Sequence, residues 1–204
     1  PLKILSHLVG HESEGSILSK LISKKLALRL SSYFENFSDY FTIFGISIPL
    51  TNEGFTNYEQ AIEIVFEYLK MLSVQGLPNY VFREIQTMDQ LAFEFKPKSS
   101  GINKVISVSE KMGDFPPELV NKSGYLLDDF EPNDFENTLK LFSTKNLLVE
   151  LSSPTFDNLP LTEPIYKTSY SIDNLDPKFV GKLSNVLEAI DLSPSGKFIN
   201  FFIF

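Results

Sequence analysis

The hydrophobic pattern switches between helical and strand periods along the chain, and each switch marks an element. In residues 2–9, Leu2, Leu5, Leu8 and Val9 fall on one side of a short helix. Gly10 and the polar run Glu12-Ser13-Glu14-Gly15 interrupt it. Ile17, Leu18, Leu21 and Ile22 then resume helical spacing, with Ser13 or Ser16 as the cap. Lys24 and Lys25 stand at the end of that helix, where positive charge suits the dipole. The period then falls to two. Leu26, Leu28 and Leu30 alternate with Ala27, Arg29 and Ser31; after a turn near 36–39, Phe44, Ile46, Ile48 and Leu50 share one face of residues 40–50. The two runs predict an antiparallel hairpin, and Gly45 within the second predicts a bulge or a close backbone approach.

Helices dominate from there. Tyr58, Ala61, Ile62, Val65, Phe66, Leu69 and Leu72 make an unbroken stripe on a helix over 56–75, with Thr56 and Glu59 as a capping box and Gly76 as the stop. Pro78 restarts a helix where its missing N–H does no harm. That helix runs to about Lys96, with Val81, Phe82, Ile85, Met88, Ala92 and Phe95 inward and Pro97 ending it. Further helices are predicted at 102–112, 125–130, 132–141 and 177–189, a turn at Pro116-Pro117, and strands at 147–152 and 166–172. Strands with helices between and after them, including a hairpin, indicate an α+β fold, an antiparallel sheet covered by helices, and not a parallel α/β sheet.

Composition narrows the function. A chain of 204 residues suits one large domain or two small ones, and 19 Phe with 8 Tyr and no Trp predict an aromatic core. The absence of cysteine excludes disulfides, thiolate metal sites and a Cys nucleophile, and favours a reducing, cytoplasmic location. The net charge is -8, and the only dense basic stretch is Lys20, Lys24, Lys25 and Arg29. A nucleic-acid surface needs clustered cations to displace counterions, so no nucleic-acid partner is expected; a cationic or neutral peptide is. No membrane span is expected, because the greasiest run, 198–204, is far too short. No signal-peptide pattern opens the chain and no initiator Met precedes Pro1, so a fragment of a longer protein is expected.

Two histidines, His7 and His11, stand at i and i+4. On one helix face such a pair can hold zinc. Metallopeptidase chemistry also needs a Glu between them to activate water, and Leu8, Val9 and Gly10 occupy that space. Gly10 also ends the helix before His11. The alternative is that both residues cap the helix and satisfy the following loop. The acidic run Asp128, Asp129, Glu131, Asp134 and Glu136 lacks the alternating ligands and central Gly of a calcium loop and suits a helix start. No Gly-x-Ser-x-Gly elbow and no Gly-rich phosphate loop are present.

Several segments together resemble one family. Gly10-His11-Glu12-Ser13-Glu14-Gly15-Ser16-Ile17-Leu18-Ser19 is similar to the Gly-His-Glu-Gly-Pro-Gly-Ser-Leu-Leu-Ser signature in the second domain of insulysin-like (insulinase, M16) zinc metallopeptidases. Leu50-Thr51-Asn52-Glu53-Gly54, Val81-Phe82-Arg83-Glu84, Ala92-Phe93-Glu94-Phe95-Lys96 and Tyr125-Leu126-Leu127-Asp128-Asp129-Phe130-Glu131-Pro132 follow in the family's order. The resemblance covers residues 1–155 well and the remainder loosely.

The resemblance implies a single non-catalytic domain over 1–204, its first strand missing, with the α+β fold of processing peptidases. It implies no catalytic residue and no cofactor here, since the family's His-x-x-Glu-His zinc site lies in the preceding domain. It implies a wall of a closed chamber, with other domains of the same peptidase and a peptide substrate as partners. An exosite that grips the substrate's N-terminus would match His7, Gly10 and Glu12 in the loop and Leu30, Ser31, Ser32 and Tyr33 in the following strand. Two departures bear on that site: Ser13-Glu14-Gly15 replaces Gly-Pro-Gly, and Ser32-Tyr33 replaces a Gly-Gly that would let a peptide backbone approach closely. The alternative is a non-enzymatic binding or scaffold module of the same superfamily.

Overall fold

The computed structural model describes residues 1–37, 41–125, 132–187 and 198–203. Two compact units are present, residues 1–76 with 133–204, and residues 77–132.

The first unit opens with α1 (Leu2–Val9) and α2 (Ile17–Ser23). Leu5, Leu8 and Val9 of α1 are buried, as the apolar spacing predicts; Ile4 is buried as well, and Leu2, expected on that face, is only half-buried. Ser16 caps α2, its Oγ accepting the Ser19 N–H at 3.1 Å. At the far end of α2 the Leu26 N–H donates to the Leu21 carbonyl and the Lys25 N–H to that of Ile22, both at 2.9 Å. This is a Schellman closure, with Lys25 in the left-handed region at φ 60.

That closure changes the next element. The alternation over 26–31 predicts a strand, but Leu26 is tied back to the helix, Ala27 makes a lone bridge with Leu50, and Leu28 is exposed. The ladder begins only at β1 (Ser31–Asn36), which pairs antiparallel with β2 (Phe41–Ser47) from Ser31↔Ser47 to Asn36↔Thr42. The short helix α3 (Asn52–Thr56) follows, capped by Thr51, whose Oγ1 accepts the Gly54 N–H at 3.0 Å. The capping box expected at Thr56 and Glu59 does not form: Thr56 Oγ1 donates to the Asn52 carbonyl, and α4 (Tyr58–Gln75) starts after Asn57 with no side-chain cap. The apolar stripe of α4 is buried from Ala61 to Leu72, and Gly76 closes the helix at φ 70.

The second unit holds α5 (Asn79–Glu94) and α6 (Gly101–Met112). Val81, Phe82 and Ile85 are buried as predicted, but Met88, Ala92 and Phe95, expected inward, are exposed. Two helices and a run of turns supply too little surface to cover the whole stripe, and α6 has no buried residue.

The chain then returns to the first unit through α7 (Pro132–Leu139), β3 (Leu147–Val149), β4 (Leu161–Thr162), β5 (Ser169–Tyr170), α8 (Pro177–Leu187) and β6 (Phe198–Ile203). The strands expected at 147–152 and 166–172 are thus shorter. β6 carries no sequence-based expectation of a strand, yet it runs parallel to both β2 and β3, giving the order β1-β2-β6-β3. The fold is α+β as expected; its sheet is mixed, with an antiparallel outer pair, and β4 and β5 form a separate hairpin. Phe44 and Phe142 meet edge to face in the aromatic core at 5.2 Å. The turn expected near 36–39, the helix at 125–130, the end of the helix reaching 189 and the acidic residues Asp128, Asp129 and Glu131 lie wholly or largely outside the described residues.

Candidate functional site

The site expected from the sequence has two halves, in residues 7–12 and 30–33, and a reciprocal pair of serine side chains joins them. Ser6, on α1, donates its hydroxyl to the Ser32 carbonyl at 3.0 Å, and Ser32 Oγ donates to the Ser6 carbonyl at 2.7 Å. These bonds hold the last turn of α1 against β1, an edge strand of the sheet. Gly10 lies at the crossing. A Cβ there would stand 3.1 Å from the Ser6 carbonyl oxygen and 3.2 Å from Ser32 Oγ, a tight fit that would make these atoms give by a few tenths of an ångström. Its φ of -78 demands no glycine.

The remaining residues divide by exposure. His7 is half-buried in the last turn of α1, and Glu12 is exposed on the loop that follows Gly10. Leu30 is buried, so its side chain serves the core and only its backbone could face a ligand. Ser31 and Tyr33 are exposed and Ser32 is half-buried. The structure therefore brings Gly10 against Ser32, with His7 one turn back and Glu12 just beyond. Ser6, which makes the junction with Ser32, carries no signal in the local pattern; it reads as one of two polar residues, with His7, between Leu5 and Leu8.

The His7 and His11 rings lie edge to face with centroids 6.1 Å apart. The Ser13 backbone N–H donates to His11 Nδ1 at 3.2 Å, with the Ser13 hydroxyl 2.9 Å away. Nδ1 is therefore an acceptor and the ring proton belongs on Nε2. A metal-ligating imidazole needs the reverse, one nitrogen on the metal and a donated N–H on the other side. The bond fits the loop-satisfying reading of His11. Among the described residues, no group of three or more His, Cys, Asp or Glu gathers that could hold a metal ion.

Tyr33 stands where the resemblance places glycines. Its ring does not overhang the outer edge: it crosses inward over Gly45, its register partner on β2. Burial first, and then the carboxylates of Glu35 and Glu150, push the Tyr33 phenol pKa up. Both carboxylates therefore stand close enough to Tyr33 to act on its phenol.

Comparison with known proteins gives the family. Residues 1–88 match the description "Peptidase M16 inactive domain", and residues 93–200 match "Middle or third domain of peptidase_M16". The chain belongs to the peptidase M16 family. The insulin-degrading enzyme of Drosophila melanogaster is 34% identical over 173 residues, 84% of this chain and 18% of that one. Nardilysin of Homo sapiens is 34% identical over 182 residues, 86% of this chain and 16% of that protein. The crystal structure of pitrilysin superposes with a TM-score of 0.78 and 18% identity, covering 96% of this chain and 21% of that one. The chain thus spans about a fifth of these relatives. The two family descriptions meet between residues 88 and 93, near the end of α5, and this junction does not coincide with the boundaries of the compact units. No helix among the described residues is long and apolar enough to cross a membrane.

Proposed function

We propose that these 204 residues are one non-catalytic section of a larger insulysin-like zinc endopeptidase, and that the section holds the N-terminal end of a peptide substrate and helps wall the reaction chamber. The observation that carries this reading is the Ser6–Ser32 junction, which brings the Gly10 loop against edge strand β1. An edge strand can add a substrate strand through backbone hydrogen bonds. Gly10, Leu30, Ser31, Ser32 and Tyr33 would line that path, His7 would pack beside it, and Glu12 would receive the peptide's ammonium group. The chemistry that zinc supplies, polarisation of the attacking water, belongs to a preceding domain. This section contributes orientation, which is worth rate only when the substrate is held in register with the cut.

A peptide with a free N-terminus should bind more tightly than its acetylated form. Glu12→Gln should remove the difference, costing up to about fivefold in affinity for an exposed ion pair. Titration calorimetry with both peptides reads this directly; equal affinity for the two on the unmodified protein would sink the exosite.

A second reading has one observation in its favour, the match of residues 1–88 to an inactive domain. A non-enzymatic scaffold of the same superfamily would carry the same fold. The two part on the upstream chain, since a His-x-x-Glu-His motif there supports the peptidase and its absence supports the scaffold.

A further inference from the structure

Backbone groups along β1 alternate in direction, and one acceptor on the outward side is already taken. Just past the ladder the Phe37 N–H donates to the Phe41 carbonyl at 3.3 Å. These two residues continue the register that sets Asn36 opposite Thr42. In an antiparallel pair, hydrogen-bonded positions alternate with positions whose backbone groups face away from the partner strand. Stepped back from Phe37, Glu35, Tyr33 and Ser31 turn their amides and carbonyls toward β2. Asn36, Phe34 and Ser32 turn theirs away. Asn36 and Thr42 have the closer side chains expected of such a pair, the Thr42 hydroxyl donating to Asn36 Oδ1 at 2.7 Å. Since β1 ends the sheet order, the side that Phe34 and Ser32 face is the sheet edge.

On that edge the Ser32 carbonyl has a resident donor, the Ser6 hydroxyl at 3.0 Å. The direction of this bond follows from its neighbours. The Ser6 carbonyl accepts the Gly10 N–H at 2.9 Å and the Ser32 hydroxyl at 2.7 Å. Ser32 Oγ has no second proton to give, so Ser6 Oγ, 3.0 Å from both oxygens of Ser32, is the donor toward them. A peptide strand added to this edge would present its own N–H to the same carbonyl. A carbonyl can take two donors, but the second meets an oxygen whose charge the first has already drawn on.

We propose that Ser6 is a specificity-determining residue of the peptide site, a latch whose hydroxyl competes with the peptide for the Ser32 carbonyl and makes binding depend on pairing at Phe34 as well. This role rests on the reading above that β1 takes a peptide strand. A short fragment that pairs at Ser32 alone exchanges one hydrogen bond for another and gains little. An extended peptide that reaches past Phe34 keeps the full gain there. The substrate class selected is therefore an extended segment, not a very short N-terminal fragment.

The test is titration calorimetry on the larger polypeptide of which this chain is a section, with a chelator present so that metal-dependent cleavage does not compete. The probe is an octapeptide of alternating Thr and Lys with a free N-terminus. Ser6→Ala should bind it about three- to tenfold more tightly than the unmodified protein, the span of one neutral hydrogen bond. Alanine is the best helix former, so α1 keeps its helix. Ser32→Ala should move the other way, by up to about threefold, because it removes the clamp on the Ser6 carbonyl and leaves the latch in place. A junction with a structural role alone would weaken binding in both variants, and that result overturns the latch. Octapeptides with single amides replaced by esters give a second readout. On Ser6→Ala one further amide should become sensitive, two residues from an amide already sensitive on the unmodified protein; an identical set on both proteins would also overturn the latch. Failure of the peptide site itself looks different. If neither protein binds the octapeptide, or no ester weakens it on either, strand addition falls and the latch with it. Ester-sensitive binding without a gain in Ser6→Ala sinks the latch alone.

Discussion

The ring of Tyr33 lies across Gly45: a Cβ at Gly45 would stand 2.4 Å from Tyr33 Cζ and 2.7 Å from its hydroxyl oxygen. The two residues face each other in the antiparallel register of β1 and β2. Glycine gives the ring its seat, and the ring covers backbone that a glycine leaves bare. For the site the direction matters more than the contact. Drawn inward over β2, the ring does not stand in the path proposed for a peptide along the outer side of β1, although the resemblance implies glycine at this position.

Gly45→Ala should therefore expel the ring at modest cost. Tyr33 is a surface side chain and can swing away, so we expect a loss of about 1 kcal/mol, at the low end for an overpacked position. The urea midpoint of the variant reads it. Combining Gly45→Ala with Tyr33→Ala should cost less than the sum of the two single changes, because the clash is shared. Strict additivity would show that the contact carries no energy.

The raised pKa of the Tyr33 phenol gives a pH dependence whose sign is fixed. Burial, Glu35 and Glu150 all favour the neutral phenol, so the folded protein binds this proton more tightly than the unfolded chain does. The contribution is fully present below the unfolded value of 10.0 and is lost as pH rises through the higher folded value. Stability should then fall with pH in the alkaline range, and Tyr33→Phe should flatten the slope. Urea unfolding at a series of pH values from neutral to alkaline checks it; a slope unchanged in the variant would assign the loss to other groups.

The sequence is legible where the periodicity is local and illegible where a distant partner decides. Most of the stripes of α1, α2 and α4 bury, so spacing locates these helices, although Leu2 is half-buried and Ile22 exposed. The alternation of Leu26, Leu28 and Leu30 misleads because a Schellman closure and a lone bridge, not a ladder, fix Leu26 and Ala27. Thr56 has the spacing of a cap, but an unforeseen helix, α3, capped by Thr51, takes it up as its last residue, its hydroxyl donates to the Asn52 carbonyl, and α4 starts with no side-chain cap. Met88 and Phe95 continue a stripe for which the second unit supplies no cover. The candidate site divides the same way. His7, Gly10 and Glu12 stand together in sequence, but the approach of Gly10 to Ser32 goes with the bonds between Ser32 and Ser6, 26 residues away, and no periodicity reports them.

Gly54→Ala should be far more damaging than Gly45→Ala. A Cβ at Gly54 would stand 1.9 Å from the Leu26 carbonyl oxygen, which also accepts the Thr51 N–H at 2.9 Å. The obstacle is backbone held by a helix closure on one side and a capped helix on the other, so nothing can swing aside. We expect a loss of about 3 kcal/mol or failure to fold, the upper end for steric insertion. Thr51→Ala, which adds no atom and removes the cap together with the bond to the Lys25 carbonyl, should cost only up to about 2 kcal/mol. Denaturation midpoints of the two variants decide it; a Gly54→Ala protein as stable as Thr51→Ala would mean that the clasp between residues 25–27 and 50–54 is loose.

Lys25→Gly should stabilise the protein, contrary to the usual effect of introducing glycine. Lys25 occupies the left-handed position of the Schellman closure at φ 60, where a Cβ is strained by about 1–2 kcal/mol. Glycine removes that strain but adds freedom to the unfolded chain, worth about 0.5–1 kcal/mol in the opposite sense. Strain is the larger effect, so a net gain of up to about 1 kcal/mol is expected. Lys25 is exposed, which leaves no buried packing to lose, and the closing bonds from Lys25 and Leu26 to Ile22 and Leu21 are backbone bonds that glycine retains. Lys25→Ala is the control: it deletes the same side chain and its favourable charge at the helix end but keeps the strained Cβ, so its midpoint should lie at or slightly below that of the unmodified protein. If Lys25→Ala stabilises as much as Lys25→Gly, the gain comes from the lost charge near Lys24, and the left-handed strain is not its source.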